Sequence, residues 1–297
     1  MTTMRQAFVR TVNEELDRDP RVAVVTAVIS SNEFPQEHER VIDVGIREQT
    51  MVGVAGGLAL TGLRPVVHSY APFLVERPYE QIKLDIGHQD VGAVFVSIGG
   101  SYDDPVWGRT HQSPGDVALF DTLPGWTVHV PGHADEVTPL LRQALKDDNR
   151  VYIRLSLHEN AQAHPVGEGF TELRHGKRGV VVAVGPMLDR VLKAVESENA
   201  DLTVLYAATV RPFDSDGLRK AVEETDHADI MVVEPYLEGT SAHLVSVAMQ
   251  QIPHRLRCVG VKRHAELRNY GTAEDHDAAH DLDVVGLGGA VRSFFRG

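Results

Sequence analysis

The sequence predicts an α/β protein of two domains, each a largely parallel sheet flanked by helices. Short β-branched runs alternate with segments whose apolar residues recur every three or four positions, which is typical of alternating strands and amphipathic helices. This alternation is interrupted once and then restarts, and 297 residues is a comfortable length for two domains. Hydrophobic residues make up 42% of the chain and charged residues 24%, so two cores can be built.

The first predicted domain begins with a helix, because Met4, Phe8, Val12 and Leu16 recur at helical spacing before Pro20 ends the segment. Runs of four to eight residues rich in valine and isoleucine then recur between helical patterns, as in a sheet buried on both faces. The predicted strands are 21–26, 40–43, 65–69, 91–98, 127–130 and 151–154, the later helices are 48–60, 76–86 and 135–147, and a long loop covers 99–114.

Residues 158–178 break the pattern with several histidines, glycines and a proline, and are predicted to form a linker between a domain at 1–157 and another at 179–297. The second domain repeats the alternation of strands and helices. Its predicted strands are 179–184, 201–206, 229–234 and 256–261, and its helices are 187–198, 216–225 and one from about 241, followed by a tail.

Charge and cysteine content exclude several classes of protein. The net charge of -13 makes a nucleic-acid or anionic-membrane partner a poor expectation. A single cysteine, Cys258, allows no disulfide framework within the chain, and the polar N-terminus has no apolar signal core. Residues 51–63 are too short and glycine-rich to span a bilayer. We expect a soluble cytoplasmic protein, and no spacing of metal ligands is present, so we expect no metal bound by this chain.

Seven segments occur in an order that resembles the transketolase family. The first, Asp43-Val-Gly-Ile-Arg-Glu-Gln-Thr-Met51, is similar to the family segment whose glutamate activates thiamine diphosphate. The other similar segments are 56–65, 70–82, 110–116, 123–131, 210–214 and 233–239. Because they span about residues 3–295 and both predicted domains, the chain is identified as resembling a transketolase pyrimidine-binding domain followed by a transketolase C-terminal domain.

The resemblance implies a role for five residues. Glu48 would hydrogen-bond the cofactor's aminopyrimidine N1′ and favour its imino form, which acts as the base. Phe73 would stack on the pyrimidine ring with Tyr70 nearby, and His111 would line the substrate channel and donate a proton to a developing alkoxide. Arg77 would support the loop or contact a subunit.

Each of these residues also has a structural interpretation. A glutamate at the start of a helix is stabilised by the helix dipole without any catalytic role. Tyr70 and Phe73 are also consistent with core residues, and His111 with a loop histidine paired with Asp116.

The family's diphosphate and magnesium site, a Gly-Asp-Gly segment in a domain N-terminal to these two, does not occur in this sequence. The resemblance therefore implies the C-terminal subunit of a split transketolase. Its N-terminal partner subunit would carry the Gly-Asp-Gly segment, hold the diphosphate and Mg²⁺, and complete the thiamine diphosphate site in an α2β2 assembly.

The sequence departs from the family at the substrate contacts. Leu157 stands where sugar-phosphate enzymes of the family have a phosphate-binding arginine, and 97–101 has glycine where they have a histidine. Trp107 replaces a carboxylate and Arg109 replaces a proline. We expect a substrate other than an ordinary pentose phosphate, with Arg109 or Arg154 as candidates to bind an anion.

Three functions are consistent with these residues. The first is transfer of a two-carbon ketol unit, the transketolase reaction, within an enzyme active only with its partner. The second is decarboxylation of a 2-oxo acid or acyloin formation, as in deoxyxylulose-phosphate synthases or the β subunits of 2-oxo-acid dehydrogenases. The third is a non-catalytic partner subunit, for which the altered loop 99–109 leaves room.

Overall fold

A computed structural model describes residues 2–167, 169–264 and 266–296 and has two helix-flanked β-sheets. The strands are β1 (Val22–Thr26), β2 (Val41–Asp43), β3 (Arg64–Tyr70), β4 (Val94–Ile98), β5 (Trp126–His129), β6 (Arg150–Arg154), β7 (Thr171–Arg174), β8 (Val180–Val184), β9 (Thr203–Ala207), β10 (Thr209–Arg211), β11 (Asp229–Leu237) and β12 (Arg255–Val261). The helices are α1 (Met4–Arg18), α2 (Glu48–Leu60), α3 (Tyr79–Gln81), α4 (Asp116–Phe120), α5 (Ala134–Lys146), α6 (Leu188–Ser197), α7 (Ser215–Glu223), α8 (Ala242–Ala248), α9 (Ala273–His280) and α10 (Val284–Phe295).

The first sheet has seven strands in the order β10-β5-β6-β4-β3-β1-β2. Its strands run parallel except β10, which pairs antiparallel with β5. Strands β1 and β4 are buried along their whole length, which explains their continuous apolar sequences. The order places the carboxyl ends of β1, β2, β3 and β4 side by side at one edge.

The second sheet has five strands in the order β12-β11-β8-β9-β7, with β7 antiparallel at one edge. The predicted α/β class and the two largely parallel, helix-flanked sheets are therefore confirmed. One hydrophobic cluster contains residues of both sheets, including Val67 and Phe95 of the first and Val182 and Val232 of the second. No helix among the described residues is long and apolar enough to cross a membrane.

Several elements were not predicted. The predicted linker contains β7, and β10 joins the first sheet although it follows residue 179; the boundaries at 157 and 179 stay a prediction. The predicted tail forms α9 and α10. Helix α9 buries His276, Asp277 and His280, so no apolar periodicity marks it, and α10 contains three glycines. The predicted helix 76–86 instead has wide π-type turns on both sides of α3.

Candidate functional site

The predicted cofactor residues converge at the carboxyl edge of the first sheet. Glu48 begins α2 shortly after β2, Tyr70 is the last residue of β3, and Phe73 follows in the next turn. His111 lies in the loop after β4. Loops at the carboxyl ends of adjacent parallel strands are the usual location of ligand sites in such sheets.

Glu48 is a buried carboxylate at a helix N-terminus, with 2% of its surface exposed. Its Oε2 lies 2.7 Å from Nη1 of Arg77, and the positive end of the α2 dipole also favours its negative charge. Gly56 lets α2 approach the following helical segment, because a Cβ there would lie 2.6 Å from the carbonyl oxygen of Asp85.

Arg77 joins the carboxylate to the aromatic side of the site. Its guanidinium carbon lies 4.2 Å from the centroid of the Phe73 ring while its Nη1 pairs with Glu48. From the sequence alone, Arg77 has only a supporting role. Phe73 and Arg77 are four residues apart on a helical segment, and this spacing predicts that their side chains meet.

The rings of Tyr70, Phe73 and His111 pack edge-on against one another beside Glu48 and Arg77. The ring centroid of His111 lies 4.9 Å from that of Phe73 and 5.4 Å from that of Tyr70, and the Tyr70 and Phe73 centroids are 6.2 Å apart. We call Glu48, Tyr70, Phe73, Arg77 and His111 the Glu48 cluster. It brings together all four residues that the sequence assigned to cofactor binding or catalysis.

Polar partners orient two of these rings. The Tyr70 hydroxyl donates to Oδ2 of Asp104 at 2.9 Å, and burial together with that carboxylate raises the pKa of Tyr70 to about 12. Tyr70 therefore keeps its proton at neutral pH. Nδ1 of His111 lies 3.0 Å from the hydroxyl of Thr110, and the ring of Trp107 lies 5.6 Å from the His111 ring.

Two glycines in the loop after β4 pack closely against larger side chains. Gly99 has φ +66°, and a Cβ there would lie 2.3 Å from the Tyr70 ring. A Cβ on Gly100 would lie 2.6 Å from the guanidinium carbon of Arg154. Tyr70 and Arg154 thus fill the space that a larger residue at these positions would need.

Arg154 and Asp116 form a buried ion pair, so two of the sequence interpretations are wrong. Nε of Arg154 donates to Oδ2 of Asp116 at 2.7 Å, and both side chains are 1% exposed or less. The hydroxyl of Tyr152 donates to the same oxygen at 2.7 Å. Asp116 is therefore not the partner of His111, and Arg154 is not available to bind an anion.

The other predicted substrate residues lie outside the Glu48 cluster. Arg109 donates from Nη1 to the Gln112 carbonyl at 2.8 Å, and its Nε lies 3.6 Å from Oε1 of Glu266 in the second half of the chain. Trp107 is 57% exposed and Leu157 60% exposed. The backbone N–H of Leu157 donates to Asp103, which fixes the backbone there.

A group of possible metal ligands lies elsewhere. In the described part of the chain, Glu172, His175 and Glu224 place ligand atoms within 4.8 Å of one another, and all three side chains are exposed. The expectation that this chain binds no metal stays a prediction.

The chain belongs to the transketolase family. Residues 1–161 match the family model of the transketolase pyrimidine-binding domain, and residues 170–276 match that of the transketolase C-terminal domain. Members of this family use thiamine diphosphate.

Several relatives show how the two domains occur in other proteins. The chain is 52% identical, over 99% of its length and 95% of the relative, to an uncharacterized 33.6 kDa protein in the fasciation locus of Rhodococcoides fascians. It is 28% identical to a 6-deoxy-6-sulfo-D-fructose transketolase subunit of a Clostridium species, covering 87% of this chain and 84% of that one. It is 32% identical to a 1-deoxy-D-xylulose-5-phosphate synthase of Rhodopirellula baltica, of which it spans 40%.

A solved structure described as a split gene transketolase, an inactive beta4 tetramer, superimposes with a TM-score of 0.83. The match covers 99% of this chain and 98% of that one at 24% identity, which shows a shared fold.

Proposed function

We propose that this chain is the C-terminal subunit of a two-subunit, thiamine-diphosphate-dependent transketolase, and that Glu48 is its cofactor-activating carboxylate. The observation that carries the proposal is the Glu48 cluster, in which a buried carboxylate and a phenylalanine ring share one arginine at the carboxyl edge of a parallel sheet. A transketolase subunit relative that this chain covers over 84% of its length supports the two-subunit arrangement.

The residues of the cluster fit the pyrimidine end of thiamine diphosphate. An aminopyrimidine has a polar edge and an aromatic face, which suit a carboxylate and an aromatic ring. Glu48 uses Oε2 for Arg77, and Oε1 accepts no hydrogen bond from the described residues, so it can accept one from a ligand. Phe73 is only partly buried and presents a ring beside that carboxylate.

When bound, thiamine diphosphate supplies the electron sink for carbon–carbon bond cleavage. The role of Glu48 is to hold or share a proton at its carboxyl oxygen, facing the ring nitrogen of the pyrimidine. Arg77 orients that carboxylate and compensates its burial in the absence of a ligand. His111 lies against Phe73 and Tyr70, where it can donate a proton to a substrate oxygen that becomes negative.

We assign the diphosphate and Mg²⁺ to an N-terminal partner subunit with a Gly-Asp-Gly segment, in an α2β2 assembly. The chain contains no such segment. The similar solved structure, a β tetramer described as inactive, is consistent with a requirement for another subunit.

The substrate we propose is a ketose or 2-oxo acid that is more apolar than a pentose phosphate. Trp107 and Leu157 expose apolar surface beyond the cluster, and Arg154 is held by Asp116. An apolar side chain cannot replace the bidentate guanidinium that binds a phosphate. Turnover of xylulose 5-phosphate as efficient as that of every other donor tested would contradict this assignment.

A second candidate reaction is decarboxylation of a 2-oxo acid with transfer of the remaining fragment. The synthase relative at 32% identity favours it. Release of carbon dioxide from pyruvate would identify this reaction, whereas release of an aldose from a ketose donor would identify the transketolase reaction.

Calorimetry with thiamine diphosphate and Mg²⁺ tests the proposal. We expect no binding to this chain alone and saturable binding to its mixture with the partner subunit. The Glu48→Ala variant should assemble with the partner and lose activity. Tight, Mg²⁺-dependent binding to this chain alone would contradict the division of the site between two subunits.

A further inference from the structure

An open cavity lies beside the loop that carries His111. It has a volume of about 540 Å³ and is lined by Ser101, Tyr102, Arg109 and Gln112 of that loop and by residues 261–264, 266–268, 276 and 280 of the C-terminal half. None of its described lining residues belongs to the Glu48 cluster. The ring centroids of Trp107 and His111 lie 5.6 Å apart, and neither residue lines the cavity.

The charge of this cavity is opposite to that of the whole chain. Arg109, Lys262, Arg263 and Arg268 line it, and Glu266 is the one carboxylate among its described lining residues. The chain as a whole has a net charge of -13. A concave surface lined by four cations attracts anions locally, even in a protein whose net charge is negative.

The cations are held in place by backbone acceptors. Arg263 donates from Nε to the Glu238 carbonyl at 2.9 Å, and Lys262 donates from Nζ to the Ala279 carbonyl at 2.9 Å. Nζ of Lys262 also pairs with Oδ2 of Asp281 at 2.6 Å. Arg109 is fixed by the Gln112 carbonyl at 2.8 Å. These bonds orient Arg109, Lys262 and Arg263 and leave further N–H groups of the two guanidinium groups for a ligand.

A rigid aromatic wall forms part of the cavity. The ring of Tyr102 stacks on His276 at 4.9 Å and on His280 at 5.7 Å, and its hydroxyl donates to Asp277 at 2.7 Å. Nδ1 of His280 accepts the backbone N–H of Lys262 at 3.2 Å, so the hydrogen of the neutral ring is on Nε2. His280 therefore adds a neutral donor to the four cations.

We propose that this cavity is a binding site for a small anion that carries a phosphate group. Phosphate accepts several charge-assisted hydrogen bonds at once, which matches several guanidinium and ammonium donors in one cavity. A volume of about 540 Å³ is within the range of pockets for small organic ligands and leaves room beyond the phosphate itself. Oε1 of Glu266 lies 3.6 Å from Nε of Arg109. A bound anion therefore competes with Glu266 for the same guanidinium.

The test is calorimetric titration of the full chain with inorganic phosphate and, separately, with glycerol 3-phosphate, at constant ionic strength set by sodium chloride. We expect one anion to bind saturably to each chain. Glycerol 3-phosphate should bind more tightly than inorganic phosphate, which would show that the site prefers a phosphate ester. Arg109→Gln should weaken binding about tenfold, because one charge-assisted contact is lost. Glu266→Gln should tighten binding about threefold, because the competing carboxylate is removed.

A matched pair of variants controls for net charge. Arg219 and Asp216 form an exposed ion pair at 2.8 Å on α7 and do not line the cavity. Arg219→Gln and Asp216→Asn change the net charge by the same amounts and should leave phosphate binding unchanged. Absence of saturable binding, or equal effects of the cavity and control variants, would overturn the proposal. The titration contains no thiamine diphosphate, so its outcome is independent of the proposed catalytic function.

Discussion

At the carboxyl edge of the first sheet, the Glu48 cluster contrasts with the rim, by which we mean Trp107 and Leu157. The two regions differ in how exposed their side chains are and in how closely their residues resemble those of the family. Glu48 is 2% exposed and every member of the cluster contacts another member. On the rim, Trp107 and Leu157 are more than half exposed and replace polar residues of the family. The buried Glu48 carboxylate depends on its pairing with Arg77, whereas exposed residues can change without loss of the fold. We therefore propose that the cofactor side keeps the family's residues and that the substrate side is where this chain is specialised.

The largest expected effect is a loss of stability, and it tests whether Arg154 supports the fold or belongs to the substrate side of the site. Asp116→Ala leaves the buried guanidinium of Arg154 without its counterion, and we expect a loss of about 3–5 kcal/mol of unfolding free energy. Urea denaturation measures it. The control is Glu14→Ala, which removes exposed contacts with Arg18 and Arg142 and should change stability by less than about 1 kcal/mol. Similar losses of unfolding free energy in both variants would show that the Arg154–Asp116 pair stabilises the fold no more than an exposed ion pair does.

A second prediction concerns the scaffold beneath Tyr70. Burial lowers the pKa of His68, two residues earlier on β3, to about 4, and its Nδ1 lies 2.7 Å from the Val96 carbonyl. A histidine with a lowered pKa in the folded state stabilises the protein fully above its unfolded pKa of about 6.5. That stabilisation is lost as the pH falls towards 4, by about 3 kcal/mol for one such group.

Denaturation at pH 7 and pH 4 of the parent chain and of His68→Gln measures this contribution. The difference between the two pH values should be about 3 kcal/mol smaller in the variant. Equal differences would show that His68 titrates normally and that the strand beneath the site is open to solvent.

A third prediction uses the affinity for thiamine diphosphate to distinguish the cofactor side of the site from the rim. Phe73→Ala should weaken thiamine diphosphate binding to the mixture of subunits roughly tenfold, because an aromatic contact is lost. Trp107→Ala should leave that affinity within about twofold. If Trp107→Ala weakens cofactor binding as much as Phe73→Ala does, the division between cofactor side and rim is wrong.

The smallest expected effect sharpens the role of the rim. Leu157→Arg restores the guanidinium that sugar-phosphate enzymes of the family carry, and should raise kcat/KM for xylulose 5-phosphate about fivefold. Leu60→Arg, at another exposed leucine, is the matched control and should have no effect. An identical response of the two variants would remove Leu157 from the substrate site.

Much of the fold and of the Glu48 cluster was predictable, since buried strands and the Glu48 segment leave local patterns. The pairing of Arg154 with Asp116 was not, because those residues are far apart in sequence and meet only through the strand order. Helix α9 was missed because it buries polar residues. The contact of Arg109 with Glu266 depends on how the two halves of the chain pack, which no local pattern encodes.

The central claim is that the Glu48 carboxylate activates thiamine diphosphate, and proton exchange at the thiazolium C2 measures it most directly. In the mixture of subunits, hydrogen–deuterium exchange followed by NMR should slow by about 10³-fold in Glu48→Gln, with cofactor affinity nearly unchanged. Glu80→Gln, an exposed glutamate of α3, should exchange as fast as the parent protein. Unchanged exchange in Glu48→Gln would contradict the account and leave Glu48 as a helix-terminal residue without a catalytic role.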